Sequence, residues 1–184
     1  SDEGCSATQH PDFLRSRHFL SSGKEKMVKT AAKIVEVGRK VRAFTLKDQH
    51  GQDFRLSACQ GSLVLLSFHP LAWTSICATQ MKNLEKAHKT LEKLQTIPVG
   101  ISVDSVPCKE AWGRELKLNQ LRILSDFWPH GGLAKKLGIF RPKEGFSERA
   151  NVLLDAEGRV RLVKVYPLRE VPDLEEIIGF IKAR

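Results

Sequence analysis

Residues 70–77 read Pro-Leu-Ala-Trp-Thr-Ser-Ile-Cys, directly after the apolar run Leu63-Val64-Leu65-Leu66-Ser67-Phe68. A single cysteine, Cys77, thus stands where a buried strand hands over to an amphipathic helix that starts around Cys77. A thiol in the first turn of a helix meets unpaired backbone N–H groups and the positive end of the helix dipole. Both favour the thiolate, which is the nucleophile. Thr74 lies three residues before Cys77, so its hydroxyl can face the sulfur as donor or acceptor, or can simply cap the helix. Pro70 restricts the loop and shields the sulfur from water, or merely ends the strand. A lone cysteine is usually just a small buried residue; its setting between Pro70, Thr74 and a helix start turns the balance towards nucleophilic chemistry.

The elements that must hold these residues follow from hydrophobic periodicity. Residues 1–34 are polar, with little apolar repeat, and read as a flexible N-terminal extension; the domain starts at Val35 and runs to the end of the chain at residue 184. Phe44–Lys47 and Phe54–Leu56 flank Asp48-Gln49-His50-Gly51 and predict a hairpin. A strand over 63–68 leads into a helix over 77–94, with Met81, Leu84, Leu91 and Leu94 on one face. A second buried strand spans 97–103, and Pro107 fits the first turn of a following helix over 107–117. A short strand at 121–124, a short helix over 131–137 ending at Gly138, a hairpin of 151–155 with 159–166, and a last helix over 173–182 complete the chain. Buried strands alternating with helices predict an α/β fold with a mixed central sheet flanked by helices. Sites in such sheets form beyond the carboxyl ends of the parallel strands, where residues 69–77 and 104–108 fall.

The spacing Pro70-x-x-x-Thr74-x-x-Cys77 resembles the active-site motif of the peroxiredoxins, thiol peroxidases built on a thioredoxin-like fold with an N-terminal β-hairpin. Further matches are Phe44-Thr45-Leu46, Asp48 to Gly51, Gly61, Phe68-His69-Pro70, Val103-Asp104-Ser105 and Gly138, so the resemblance covers residue 35 to about residue 182. The family carries an arginine just before a late strand, and Arg149-Ala150 ahead of Asn151–Asp155 matches it. The resemblance implies that Cys77 attacks one oxygen of a hydroperoxide and becomes a sulfenic acid, with Thr74, Pro70 and Arg149 completing the site. A guanidinium stays charged and can donate to both sulfur and oxygen. The chain departs from the family at Val41-Arg42-Ala43-Phe44, where Ala-Pro-Asp-Phe is common, and at Gln80, where many members carry Glu. The second change touches a minor polar contact. The pair His69-Pro70 resembles the one-cysteine branch; His69 either tunes Cys77 and its sulfenate or simply packs.

Of the four cysteines, Cys5 lies in the extension and Cys59 reads as structural. No cysteine follows Cys108, and Lys82 stands where one subgroup has a close-spaced partner, so Cys108 is the one internal candidate to resolve the sulfenic acid. The alternative is an external thiol, as in one-cysteine members. The resemblance implies a hydroperoxide substrate, a thiol reductant, no metal, no organic cofactor, and an assembly such as a homodimer. The formal charge of +9 comes from scattered residues, with Lys82, Lys86, Lys89 and Lys93 on the solvent side of one helix, and no basic stripe interleaves with aromatics. Specific nucleic-acid binding and membrane insertion are therefore not expected, and unpaired thiols point to a reducing, cytoplasmic setting. Two rival functions share the fold. A thiol-disulfide oxidoreductase would need the Cys-x-x-Cys pair that is absent, and a non-catalytic binding module would not need the four matched residues.

Overall fold

In the computed structural model, which describes residues 33–183, the apolar runs become the centre of a sheet because each is covered on both faces. The elements are β1 (Thr45–Lys47), β2 (Asp53–Arg55), β3 (Leu63–Phe68), α1 (Ser75–Lys93), β4 (Thr96–Ser102), α2 (Val106–Glu115) and β5 (Arg122–Ser125). They continue with α3 (Gly132–Lys136), β6 (Phe140–Arg141), β7 (Phe146–Ser147), β8 (Arg149–Leu154), β9 (Val160–Tyr166) and α4 (Leu174–Lys182). Seven strands form one sheet in the order β2-β1-β5-β4-β3-β8-β9, and β6 pairs with β7 separately. Strands β3, β4 and β5 are parallel; β8 runs antiparallel to β3, β9 to β8, and the β1–β2 hairpin to β5.

Alternation along β3 divides its side chains between two cores. Val64, Leu66 and Phe68 face a layer that includes Val99, Val152 and, from α3, Leu133 and Ala134. Leu65 faces the other way, into a layer built by Met81, Leu84 and Leu91 of α1, Trp112 of α2, and Ile177, Ile178 and Ile181 of α4. Lys82, Lys86, Lys89 and Lys93 of α1 are all exposed, as the helical spacing predicts. No helix among the described residues is long and apolar enough to cross a membrane.

The expected mixed sheet with its hairpin and flanking helices is present, with small shifts of boundary. Helix α1 begins at Ser75 rather than Cys77, and α2 begins at Val106 with Pro107 in its first turn, as expected. The 3-10 turn Leu56–Cys59 and the two-residue strands β6 and β7 carry no periodic signal of their own, being too short for either pattern to recur. Pro98 lies inside β4, where a missing N–H should be a defect. It is tolerated because β5 starts to pair only at Val99, one residue later. The expectation of a flexible extension, and the placement of Cys5 within it, lie outside the described residues.

Gly100, in the middle of β4, sets how closely α1 can lie on the sheet. A Cβ at this position would collide with the sulfur of Met81, one turn beyond Cys77 on α1, and would sit 3.0 Å from Ile123. Met81 is wholly buried. Gly100→Ala is expected to destabilise the protein by about 1–3 kcal/mol through overpacking. Thermal unfolding monitored by circular dichroism checks this, and an unchanged midpoint would show that α1 is free to lift.

Candidate active site

The loop from Pro70 to Thr74 leaves the carboxyl end of β3 and enters α1. His69 N–H still donates to Ile101 O of β4 at 3.0 Å, so the loop begins firmly held by the sheet. Trp73 adopts φ 63°, a left-handed conformation that is uncommon outside glycine, and its ring is exposed. Thr74 closes the turn by donating its hydroxyl to Leu71 O at 3.1 Å. Its backbone carbonyl accepts from Ala78 N–H at 2.9 Å, which makes Thr74 the N-cap residue by backbone alone. The side chain therefore neither caps the helix nor points its proton at Cys77; its lone pairs remain free to accept.

Cys77 falls in the first turn of α1, with its side chain fully buried. Arg149 opens β8 rather than preceding it, and strand register brings it to the sulfur. Ala150 pairs with Phe68, the last residue of β3, so Arg149 lies at the end of the sheet from which the Pro70 loop departs. Both terminal guanidinium nitrogens donate to Cys77 Sγ at 3.5 Å. A thiolate is the better acceptor for such donors than a thiol.

The guanidinium is buried and must have its donors occupied. Nη1 donates to Gln80 Oε1 at 2.5 Å, while Nη2 and Nε donate to Leu168 O, just past β9, at 2.9 Å and 3.3 Å. Gln80 in turn donates to Ser67 Oγ at 2.8 Å and Phe68 O at 3.1 Å. Gln80 is thus the bracket that fixes Arg149, and the sequence-level view of it as a minor contact is corrected here. Its position three residues after Cys77, on the same helical face, was the available signal. The Leu168 contribution is a backbone carbonyl, which no side-chain pattern announces.

His69 is fully buried, with its ring 5.2 Å from that of Trp112. Neither ring nitrogen completes a hydrogen bond of good geometry, although the Leu71 backbone lies close enough to favour a proton on the ring. Burial, and then the positive charges of Lys109 and Arg149, hold the imidazole well below its usual range. His69 is therefore a neutral ring in the wall of the site. Pro70 is buried beside it.

Cys108 sits on α2, half-buried, and packs against the same core layer as Cys77. Its thiol donates weakly to Asp104 Oδ1 at 3.9 Å. Cys59, Cys77 and Cys108 are free thiols. Cys59 is buried at the opposite end of β3, its thiol pushed up by burial, on the rim of a cavity of about 210 Å³ that no other candidate site residue lines. The structure thus joins Cys77 and Arg149 by direct contact and gathers Pro70 and His69 into the adjoining wall. Thr74 lies on the loop above, with its hydroxyl turned to the backbone.

The profile of the AhpC/TSA family matches residues 37–163. A protein of Mycobacterium tuberculosis called alkyl hydroperoxide reductase E is 32% identical over 141 residues, which span 76% of this chain and 92% of that protein. A peroxiredoxin of Pyrococcus abyssi is 30% identical over 158 residues, spanning 82% of this chain and 72% of that one. Among solved structures, the reduced 2-Cys peroxiredoxin of Plasmodium vivax superposes with a TM-score of 0.73 at 25% identity, covering 80% of each chain.

Two outcomes follow from this geometry. Gln80→Leu removes the acceptor for Arg149 and the donor to Phe68 O, and is expected to cost about 1–3 kcal/mol in urea unfolding. Gln80→Glu restores only the acceptor and should recover part of that loss; no loss in Gln80→Leu would remove its anchoring role. His69, held below its ordinary value of 6.5, contributes stability that is present above that pH and lost as the pH falls below it. Melting temperatures measured from neutral to mildly acidic pH should drop more steeply in wild type than in His69→Leu; parallel curves would contradict a neutral buried imidazole.

Proposed function

The chain belongs to the AhpC/TSA family, the peroxiredoxins, and with its thioredoxin-like fold it is a thiol-dependent peroxidase; from that membership we propose that Cys77 is its peroxidatic cysteine, assisted by Arg149, Thr74 and Pro70. The observation that carries this assignment is the pair of Arg149 donors 3.5 Å from a sulfur in the first turn of a helix. The Cys77 thiolate attacks one peroxide oxygen along the O–O axis. A sulfur–oxygen bond forms, the O–O bond breaks, and the departing oxygen leaves as hydroxide or alkoxide and takes up a proton. Arg149 can follow the negative charge from sulfur to the departing oxygen, since its donors reach the sulfur already. Thr74, with free lone pairs, accepts the hydrogen of the incoming peroxide, and buried Pro70 keeps competing water from the thiolate.

Complete burial of Cys77 supports hydrogen peroxide or small organic hydroperoxides as substrates over bulky ones. The Mycobacterium relative, named for alkyl hydroperoxides, supports the organic class as well. The sulfenic acid then condenses with a second thiol, releasing water and leaving a disulfide. Cys108 is the internal candidate for that step. Its support is a half-buried thiol in the same core layer, near enough for both cysteines to act on the charge of Lys109. An external thiol, as in one-cysteine members, is the other route; either way a thiol reductant closes the cycle. Three free thiols agree with a reducing cytoplasmic setting, and the family's habit makes a homodimer the expected assembly.

Intact mass after one equivalent of hydrogen peroxide, with and without a sulfenic-acid trap, tests the assignment. Wild type should label rapidly, and Cys77→Ser should not label. Cys108→Ser should abolish any species lighter by two hydrogens; if that species persists in Cys108→Ser, Cys108 is not the resolving thiol. Labelling that survives in Cys77→Ser would move the peroxidatic role elsewhere.

A further inference from the structure

Besides Arg149, a second cation is buried at this end of the sheet. Lys109, on α2, is wholly inaccessible, although long charged side chains almost never are. Its Nζ donates to Ser102 Oγ at 2.6 Å; Ser102 Oγ donates to Asp104 Oδ2 at 2.6 Å; and the same carboxylate oxygen accepts the backbone N–H of Ala72 at 2.8 Å. Ala72 lies in the middle of the loop between Pro70 and Thr74. The chain of bonds therefore runs from the interior of α2, across the end of β4, to the one backbone donor of that loop that a side chain captures among the described residues. Ser125 Oγ, on β5, donates to the Asp104 carbonyl at 2.7 Å and holds the carboxylate's own backbone in place.

We propose that Lys109, Ser102 and Asp104 form a positioning relay for the peroxide reaction, holding the Pro70–Thr74 loop in the shape from which α1 presents Cys77. The proposal rests on Cys77 being the peroxidatic thiol. The direction of the hydrogens explains why a lysine is needed. A protonated Lys109 has only donors, so Ser102 must accept from it and turn its own hydrogen to Asp104. A neutral amine offers a lone pair. Ser102 can then donate to Lys109 instead, and Asp104 loses that donor and slackens its hold on Ala72. The charge on Lys109 thus sets the polarity of the relay.

The groups facing Lys109 place this switch within reach. Asp104 on the β4–α2 turn, Cys108 on its own helix, Cys77 on α1 and Asp126 beyond β5 all favour its charge, while His69 beyond β3 is a neutral neighbour. Burial outweighs them and pushes the ammonium down to about 8. Below that pH Lys109 is charged and the relay is ordered; above it, the order is lost.

The test is the second-order rate of Cys77 oxidation by hydrogen peroxide, read by sulfenic-acid trapping on the full chain, in wild type, Lys109→Met and Ser102→Ala. Ser102→Ala removes only a hydroxyl and guards against a Lys109→Met variant that does not fold. At pH about 7 wild type should exceed Ser102→Ala by about tenfold, a usual loss for a disturbed positioning contact. That ratio should fall towards unity as the pH passes about 8. A merely structural contact would lower the rate by the same factor at every pH, so a constant ratio, including a ratio of one, overturns the relay. If wild-type Cys77 itself reacts no faster than a free cysteine, the peroxidatic assignment fails first and takes the relay with it.

Discussion

A guanidinium sealed inside a protein must have its hydrogens placed, and around Arg149 that requirement organises the whole site. Its five hydrogens are answered by three groups from two parts of the chain: the Cys77 sulfur and the Gln80 amide of α1, and the Leu168 carbonyl beyond β9. The antiparallel β3–β8 register supplies the remaining part, since a slip of one residue would turn Arg149 to the other face of the sheet. Each layer of structure is thereby tied to one cation. Gly100 lets α1 approach, α1 brings Cys77 and Gln80 together, and the central strand brings the charge to them.

The fold was legible because its signals are long. Strand β3 is a run of apolar residues, α1 repeats its inward residues over several turns, and α4 does the same with Ile177, Ile178 and Ile181. Cys77 and Arg149 were legible from spacing and resemblance, and their contact follows from strand pairing. What escaped is what contributes through a single polar atom. Gln80 looked like a neutral stand-in for an acid. Lys109 does not stand out among the chain's 30 Lys and Arg residues, because nothing in its neighbours Cys108 and Glu110 marks it as inward. Its spacing to Trp112, three residues on, is the one sequence hint, and it has weight only once Trp112 is known to be buried. Thr74 shows the converse limit: spacing sets it on the loop before Cys77, but the choice of hydrogen-bond partner belongs to the turn, not to the motif.

Electrostatically the site is lopsided. Among the described residues Arg149 reaches no carboxylate; its partners are an amide, a backbone carbonyl and a sulfur. Where many family members have an acid three residues after the cysteine, Gln80 accepts a hydrogen bond without cancelling the charge. Lys109 adds a second positive centre, and its Asp104 counter-charge is one serine removed. The neutrality of His69, due first to burial, is reinforced by the same surplus, since both cations disfavour a third. The strongest unmet demand for negative charge in this region is therefore directed at the sulfur of Cys77.

That demand does not distinguish one anion from another. A sulfinate on Cys77 would be as welcome to two buried cations as the thiolate it replaces, and it has two oxygens to engage Arg149's paired donors. Sulfinic acids do not return to thiols without dedicated, ATP-driven repair. In the proposed role of Cys77, the field that readies the sulfur for its first oxidation is the same field that would stabilise the dead end beyond the second. Under that assignment, turnover and self-destruction would be competing outcomes of one charge distribution, with the supply of reducing thiols setting how many cycles each molecule completes before it is lost.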